Sequence, residues 1–120
     1  MAKKPLYPLT EPMFYVLLCF HRGVMSGTEI SDYVKKLTSG RVGLGPGTLY
    51  TILGAFQAEN VIEKTGSEGR RISYRITEKG ERLFQEEVDR MRKCLADADR
   101  VTDRQSPHPF LLNGWGLQRR

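Results

Sequence analysis

A mainly helical α+β fold, a winged helix-turn-helix with a C-terminal dimerisation helix, is what this 120-residue sequence predicts. Two observations predict it. Three helical hydrophobic patterns are followed by two alternating or β-branched runs, the order helix, helix, helix, hairpin. Then Phe84, Val88, Met91, Leu95 and Ala98 recur in alternating steps of four and three, the 3.5-residue repeat of a coiled-coil seam rather than the wider stripe of a core helix. The length suits one small domain with a limited core. The sequence divides into a winged unit at 1–77, a dimerisation helix at 78–100 and a C-terminal tail at 101–120.

The segment 2–9 holds two prolines and two lysines and reads as an extended arm. Thr10 offers an N-cap, Pro12 sits in the first turn, and 13–20 is unbroken apolar or aromatic until Arg22-Gly23 stops it. A helix apolar all round must be covered all round, either as a central core helix with Tyr15 at its rim or in part against a second copy. Ser26-Gly27-Thr28-Glu29 has capping-box spacing and precedes Ile30, Tyr33, Val34 and Leu37, which predicts a second helix over 27–38 ended by Gly40.

The third helix opens at Gly45-Pro46-Gly47. Proline suits a first turn, where its missing N–H would be unpaired anyway, and glycine permits close backbone approach. Leu49, Ile52, Leu53 and Phe56 form one apolar face, leaving Thr48, Tyr50 and Thr51 free for a partner. Asn60 reads as a left-handed C-cap. A hairpin follows, with strands 61–65 and 71–76 joined by Gly66-Ser67-Glu68-Gly69; Ile72, Tyr74 and Ile76 share one face, and Lys64, Arg70 and Arg71 cluster near the tip.

Thr77 caps the fourth helix, whose seam is flanked by Glu86, Glu87, Asp89, Arg90, Arg92 and Lys93. Three short helices and a hairpin leave little surface to receive that seam, which favours a second copy. Beyond 101 the pattern dissolves. Ser106-Pro107-His108-Pro109 breaks any helix, and Phe110-Leu111-Leu112 with Trp115 and Leu117 forms an apolar patch that docks in a dimer groove or stays free.

The net charge of +5 and pI near 9.4 favour an anionic partner. The excess is uneven: ten Lys/Arg against six Asp/Glu in 1–77, six against seven in 78–100, and three against one in 101–120. Cys19 and Cys94 sit in helical patterns without a second Cys or His at ligand spacing, which argues against a disulfide, a metal or another cofactor. No leader-like start and no apolar run approaching the roughly 20 residues of a bilayer span are present, so a soluble, cytoplasmic protein without a membrane partner is expected. Two distant histidines and no nucleophile motif argue against an enzyme.

The runs Pro8-Leu9-Thr10-Glu11, Leu44-Gly45-Pro46-Gly47-Thr48-Leu49-Tyr50 and Gly69-Arg70-Arg71-Ile72-Ser73-Tyr74-Arg75-Ile76-Thr77-Glu78-Lys79-Gly80 resemble the PadR family of bacterial transcriptional regulators over roughly residues 8 to 95. The closer subgroup is the small members with a single C-terminal helix. The resemblance implies a dimeric repressor that binds double-stranded DNA, relieved in some members by a small aromatic or hydrophobic effector. It assigns 1–77 to DNA binding. Thr48, Tyr50 and Thr51 become recognition-helix residues, Gly47 lets backbone N–H groups meet a phosphate, and Arg70, Arg71 and Lys64 become wing contacts. Phe14 of the first helix joins Phe84, Val88, Met91, Leu95 and Ala98 in the homodimer interface, and Met13, Tyr15, Val88 and Met91 are the candidates to line an effector cavity, although core packing explains them equally well.

One departure stands out. Relatives commonly carry Lys or Arg in the middle of the recognition helix, whereas here Gly54-Ala55-Phe56-Gln57-Ala58 follows Leu53. Each lost phosphate contact flattens the salt dependence of binding by roughly one unit. Weaker or more wing-dependent DNA binding is expected, and the alternative is a winged-helix protein-protein interaction module with weak or lost DNA binding.

Overall fold

The structure, a computed structural model, describes residues 6–69 and 71–105, the side chains of 103–105 excepted. The order is α1 (Glu11–Arg22), β1 (Met25–Ser26), α2 (Gly27–Leu37), α3 (Pro46–Ala58), β2 (Ile62–Glu68), β3 (Arg71–Ile76) and α4 (Glu78–Gln105), a winged helix-turn-helix followed by a long helix. It forms two compact units, the first ending at Glu87 and the second beginning at Val88. The first unit therefore takes in the opening turns of α4.

Helix starts are set by local chemistry. The Thr10 hydroxyl accepts from Met13 N–H (3.3 Å) at α1. At α2 the Ser26 hydroxyl accepts from Glu29 N–H (3.5 Å) while the Glu29 carboxylate accepts from Ser26 N–H (2.8 Å), a complete capping box. α3 begins on Gly45 and Pro46 with no side-chain cap.

Helix ends differ more from expectation. α3 closes as read, with Asn60 left-handed (φ 60°), its N–H on Gln57 O (3.0 Å) and Val61 N–H on Phe56 O (2.8 Å). α2 closes by the same two bonds, Ser39 N–H to Lys36 O (3.2 Å) and Gly40 N–H to Lys35 O (2.8 Å), but the first left-handed position is Ser39 (φ 53°), with Gly40 (φ 82°) behind it. Gly40 thus shares the stop with a residue that pays a steric penalty for its conformation. Ser39→Gly is expected to stabilise the protein by about 1 kcal/mol, since a left-handed backbone costs an L-residue roughly 1–2 kcal/mol and glycine returns part of that in chain entropy. An unchanged urea midpoint would contradict it.

The hairpin expectation needs two corrections. The sheet has three strands in the order β1-β3-β2, with Met25 opposite Tyr74 and Ser26 opposite Ser73. The turn is also tighter: Gly66, Ser67 and Glu68 pair with Ser73, Ile72 and Arg71, the register slips between Lys64 and Gly66, and the turn falls at Gly69 (φ 61°). A bulge at Thr65 absorbs the extra residue that a longer loop would otherwise hold.

The core lies where α1, α2 and α3 meet the sheet. Val16, Leu17, Cys19, Ile30, Val34 and Phe56 are fully buried. Tyr74 packs edge-on against Phe20 at 6.1 Å. Burial pushes the Cys19 thiol up to about 12, against the opposing pull of Arg22. Both cysteines are free.

α4 starts where α3, β3 and the helix itself converge. Thr77 N–H donates to Val61 O (3.0 Å), its hydroxyl donates to Asn60 O (2.6 Å), and that hydroxyl accepts from Gly80 N–H (3.1 Å). The helix runs to Gln105, beyond the end at 100 read from the pattern. The expectations for the tail at 106–120 and for the arm at 2–5 lie outside the described residues.

Candidate nucleic-acid interface

α3 presents one buried and one open face, as its spacing predicts. Leu49, Ile52, Leu53 and Phe56 are buried, while Gly47, Thr48, Tyr50 and Thr51 are exposed, Tyr50 at 69 %. So large an aromatic left in water on a short helix is not packing under the wing. The open face holds two hydroxyls, a phenol and the first-turn N–H groups of an uncapped helix, but no charge along its whole length. Such a surface offers directional hydrogen bonds and a helix-dipole field and little else.

The wing residues part company. Lys64 is exposed on β2. Arg70 falls outside the described residues. Arg71 is drawn back toward the start of α2: its Nε donates to Ser26 Oγ (3.4 Å) and its Nη2 lies 3.7 Å from Glu29 Oε2. Arg71 therefore braces the wing against the capping box, with its side chain still 55 % exposed. Arg75, on the same strand, is paired with Glu63 at 2.7 Å.

The Ser26 N–H bond, aided by the Ser26 hydroxyl and Arg71, holds the Glu29 carboxyl below its ordinary value against an opposing burial effect. A depressed carboxylate contributes stability that is fully present above its unfolded value and is lost as pH falls through the folded one. Glu29→Gln is expected to flatten the loss of stability between about pH 5 and pH 3, read from urea midpoints across that range. An acid limb parallel to that of the parent protein would remove Glu29 from the account.

Of the residues expected at a dimer seam, Phe84 is already committed inside its own chain. It is 7 % exposed, with the His21 ring stacked on it at 4.3 Å and the Phe14 ring at 5.6 Å. His21 Nδ1 also meets Glu81 Oε1 at 2.7 Å, which fixes the ring over Phe84. The same stacking occupies Phe14. Further along, Val88 and Met91 are half-buried, Ala98 is exposed and Leu95 is 64 % exposed.

The four residues expected to line an effector cavity are split between the units. Met13 edges a groove shared with Thr48 and Thr51, and the Tyr15 hydroxyl accepts from Arg41 Nη2 (2.9 Å); Val88 and Met91 belong to the second unit.

Two polar features escaped sequence reasoning. Glu87, read from sequence as one of the charged residues flanking the seam, is 1 % exposed and accepts from Leu9 N–H at 3.2 Å. Arg41, in the loop before α3, is gathered onto α1 by Glu11 and Tyr15. Among the described residues no cluster of His, Cys, Asp and Glu is suited to hold a metal ion, and no helix is long and apolar enough to cross a membrane.

Known structures share this architecture. A transcriptional regulator from Clostridium thermocellum superposes with a TM-score of 0.67 at 22 % identity, covering 73 % of this chain and 86 % of that one. A PadR family transcription regulator from Clostridium difficile gives 0.63 at 19 % identity over 74 % of this chain and 95 % of that one. Bacillus subtilis PadR, solved in complex with operator DNA, gives 0.57 at 18 % identity over 64 % of this chain and 46 % of that longer one. No curated protein sequence matches. The family model described as the transcriptional regulator PadR-like family matches residues 16–86, from the core of α1 through the wing to the first turns of α4, and the chain belongs to that family.

Proposed function

We propose that this protein is a dimeric DNA-binding repressor in which 1–77 grips duplex DNA, 78–100 dimerises, and a small hydrophobic or aromatic effector relieves binding. The observation that carries the reading is the open face of α3, where Thr48, Tyr50 and Thr51 stand clear of the core beside the hairpin. Short hydroxyls and a phenol on a first turn reach base edges and phosphates in a major groove. The operator complex of the Bacillus subtilis relative supports the same use of the fold. Two such helices on a two-fold axis would read half-sites about one helical turn apart.

The uncharged α3 makes specificity cheap and electrostatic grip scarce. Lys64 and Arg70 supply the wing's share, with Arg71 drawn mainly into bracing. Fluorescence anisotropy with DNA from upstream of the protein's own coding sequence tests this. Binding is expected to weaken as salt rises from about 50 to 200 mM, with a shallow slope set by few phosphate contacts. Tyr50→Ala is expected to cost about tenfold or more in affinity, roughly 1.4 kcal/mol, with an unchanged fold.

A second reading, a winged-helix module that contacts protein instead of DNA, is favoured by the same lack of charge on α3. A folded protein showing no salt-dependent binding to that DNA would replace the first reading with the second.

A further inference from the structure

If α3 has no cation, whatever grips the phosphates beside it must come from a neighbouring segment. Thr10, Pro12 and Met13 of the α1 start line one groove of about 440 Å³ with Gly47, Thr48 and Thr51 of α3. The start of α1 therefore borders the residues assigned to reading DNA. Arg41 is fastened at that same end of α1. Its Nη1 donates to Glu11 Oε2 at 2.8 Å, its Nη2 donates to Tyr15 OH at 2.9 Å, and its guanidinium carbon lies 5.9 Å from the Tyr15 ring centroid. Arg41 itself stands four residues before Gly45, on which α3 opens.

Two properties of this cluster are poor for stability and good for a phosphate. The Arg41 and Glu11 side chains are 59 % and 58 % exposed, so water screens their pair and it adds little to stability. A guanidinium has five N–H donors, and the two bonds here leave others open to a second acceptor. Tyr15 meanwhile fixes the fork, removing much of the rotamer entropy that an exposed arginine would lose on binding.

We propose that Arg41 is a DNA-backbone contact, donating to a phosphate beside the start of α3, and that Glu11 is its partner only in the free protein and yields it on binding. The exchange replaces a carboxylate with a phosphate, an acceptor that guanidinium also meets in bidentate fashion. Glu11 then acts as a brake, since its carboxylate occupies the Arg41 donor that the phosphate would take. The contact rests on the reading that the protein binds DNA.

The experiment measures DNA affinity against salt for the parent protein, Arg41→Ala, Glu11→Gln and the double variant, with thermal midpoints alongside. Arg41→Ala is expected to weaken binding at low salt and to reduce the salt slope by about 0.9 per subunit contact. Glu11→Gln is expected to tighten binding by about threefold or more, and the gain should vanish when Arg41 is also alanine, a coupling that two independent surface charges do not show. Midpoints should stay close to the parent's. Parent binding with an unaltered slope in Arg41→Ala, or weakening by Glu11→Gln equal to that by Arg41→Ala, overturns the contact and leaves DNA binding standing. Absence of parent binding overturns the DNA reading and the contact together.

Discussion

Gly80→Ala should destabilise the protein by about 3 kcal/mol, the upper end of ordinary overpacking, and lower its thermal midpoint by roughly 10–20 °C. A Cβ at this position would stand 2.3 Å from Val61 O, 2.7 Å from Ile76 Cγ1 and 3.1 Å from Val61 Cγ1. The first obstacle is backbone and cannot rotate away. It is also pinned: Val61 O accepts Thr77 N–H, while Val61 N–H is held by Phe56 O at the close of α3. Moving α4 outward instead would strip Thr77 from Asn60 and open the junction that ties α3, the wing and α4 together. Gly54→Ala makes the control. That site, in the middle of α3, has nothing within 4 Å of a new Cβ, so alanine should add about 1 kcal/mol through helix propensity alone. Urea titrations with unchanged slopes would report both. A Gly80→Ala protein within 1 kcal/mol of the parent would mean that the junction yields, and that α4 is not locked to the wing.

Gly80 also marks the line between what was legible in the sequence and what was not. As a glycine two residues into a helix it looks like a propensity cost; its reason is a carbonyl in a different segment, and no local pattern carries that. The features read correctly are those whose causes lie within four residues: the Thr10 cap, the Ser26 and Glu29 box, the apolar face of α3 and the left-handed Asn60. Ser39 shows the limit of even local reading, because a Gly40 behind it looked like the natural stop and the first left-handed position went to the serine.

Long-range causes explain the other misses. β1 has two residues, too few to show any alternation, and exists because β3 offers it an edge. Glu87 sits in a charged run that reads as solvated, yet Leu9 bonds it from 78 positions away. Arg71 is basic and near a hairpin tip, which points toward DNA; its partners Ser26 and Glu29 come from the start of α2. In the candidate interface the open face of α3 was legible because a helical period separates its two sides, whereas Arg41 was invisible because a loop has no period at all.

The heptad itself separates into two parts, and the second carries the other large expected effect. Phe84 is buried by His21 and Phe14, so it gains little from a second copy. Leu95, at 64 % exposed, has nearly everything to gain. Leu95→Glu is therefore expected to convert the proposed dimer to monomer. Burying a leucine is worth about 1.5–3 kcal/mol, and a two-fold seam loses it twice while placing two carboxylates in the interface. A loss of at least 4 kcal/mol raises the dissociation constant by about a thousandfold. Because the side chain is open to water in the single chain, the variant should keep its helical circular dichroism. Sedimentation equilibrium then reads the mass directly. If α4 instead served only its own chain, the substitution would leave the mass unchanged. DNA affinity should fall with the dimer, since a monomer engages one half-site and forfeits the effective concentration that the first half-site lends to the second. With no charge on α3 to compensate, that forfeiture should be close to complete at physiological salt.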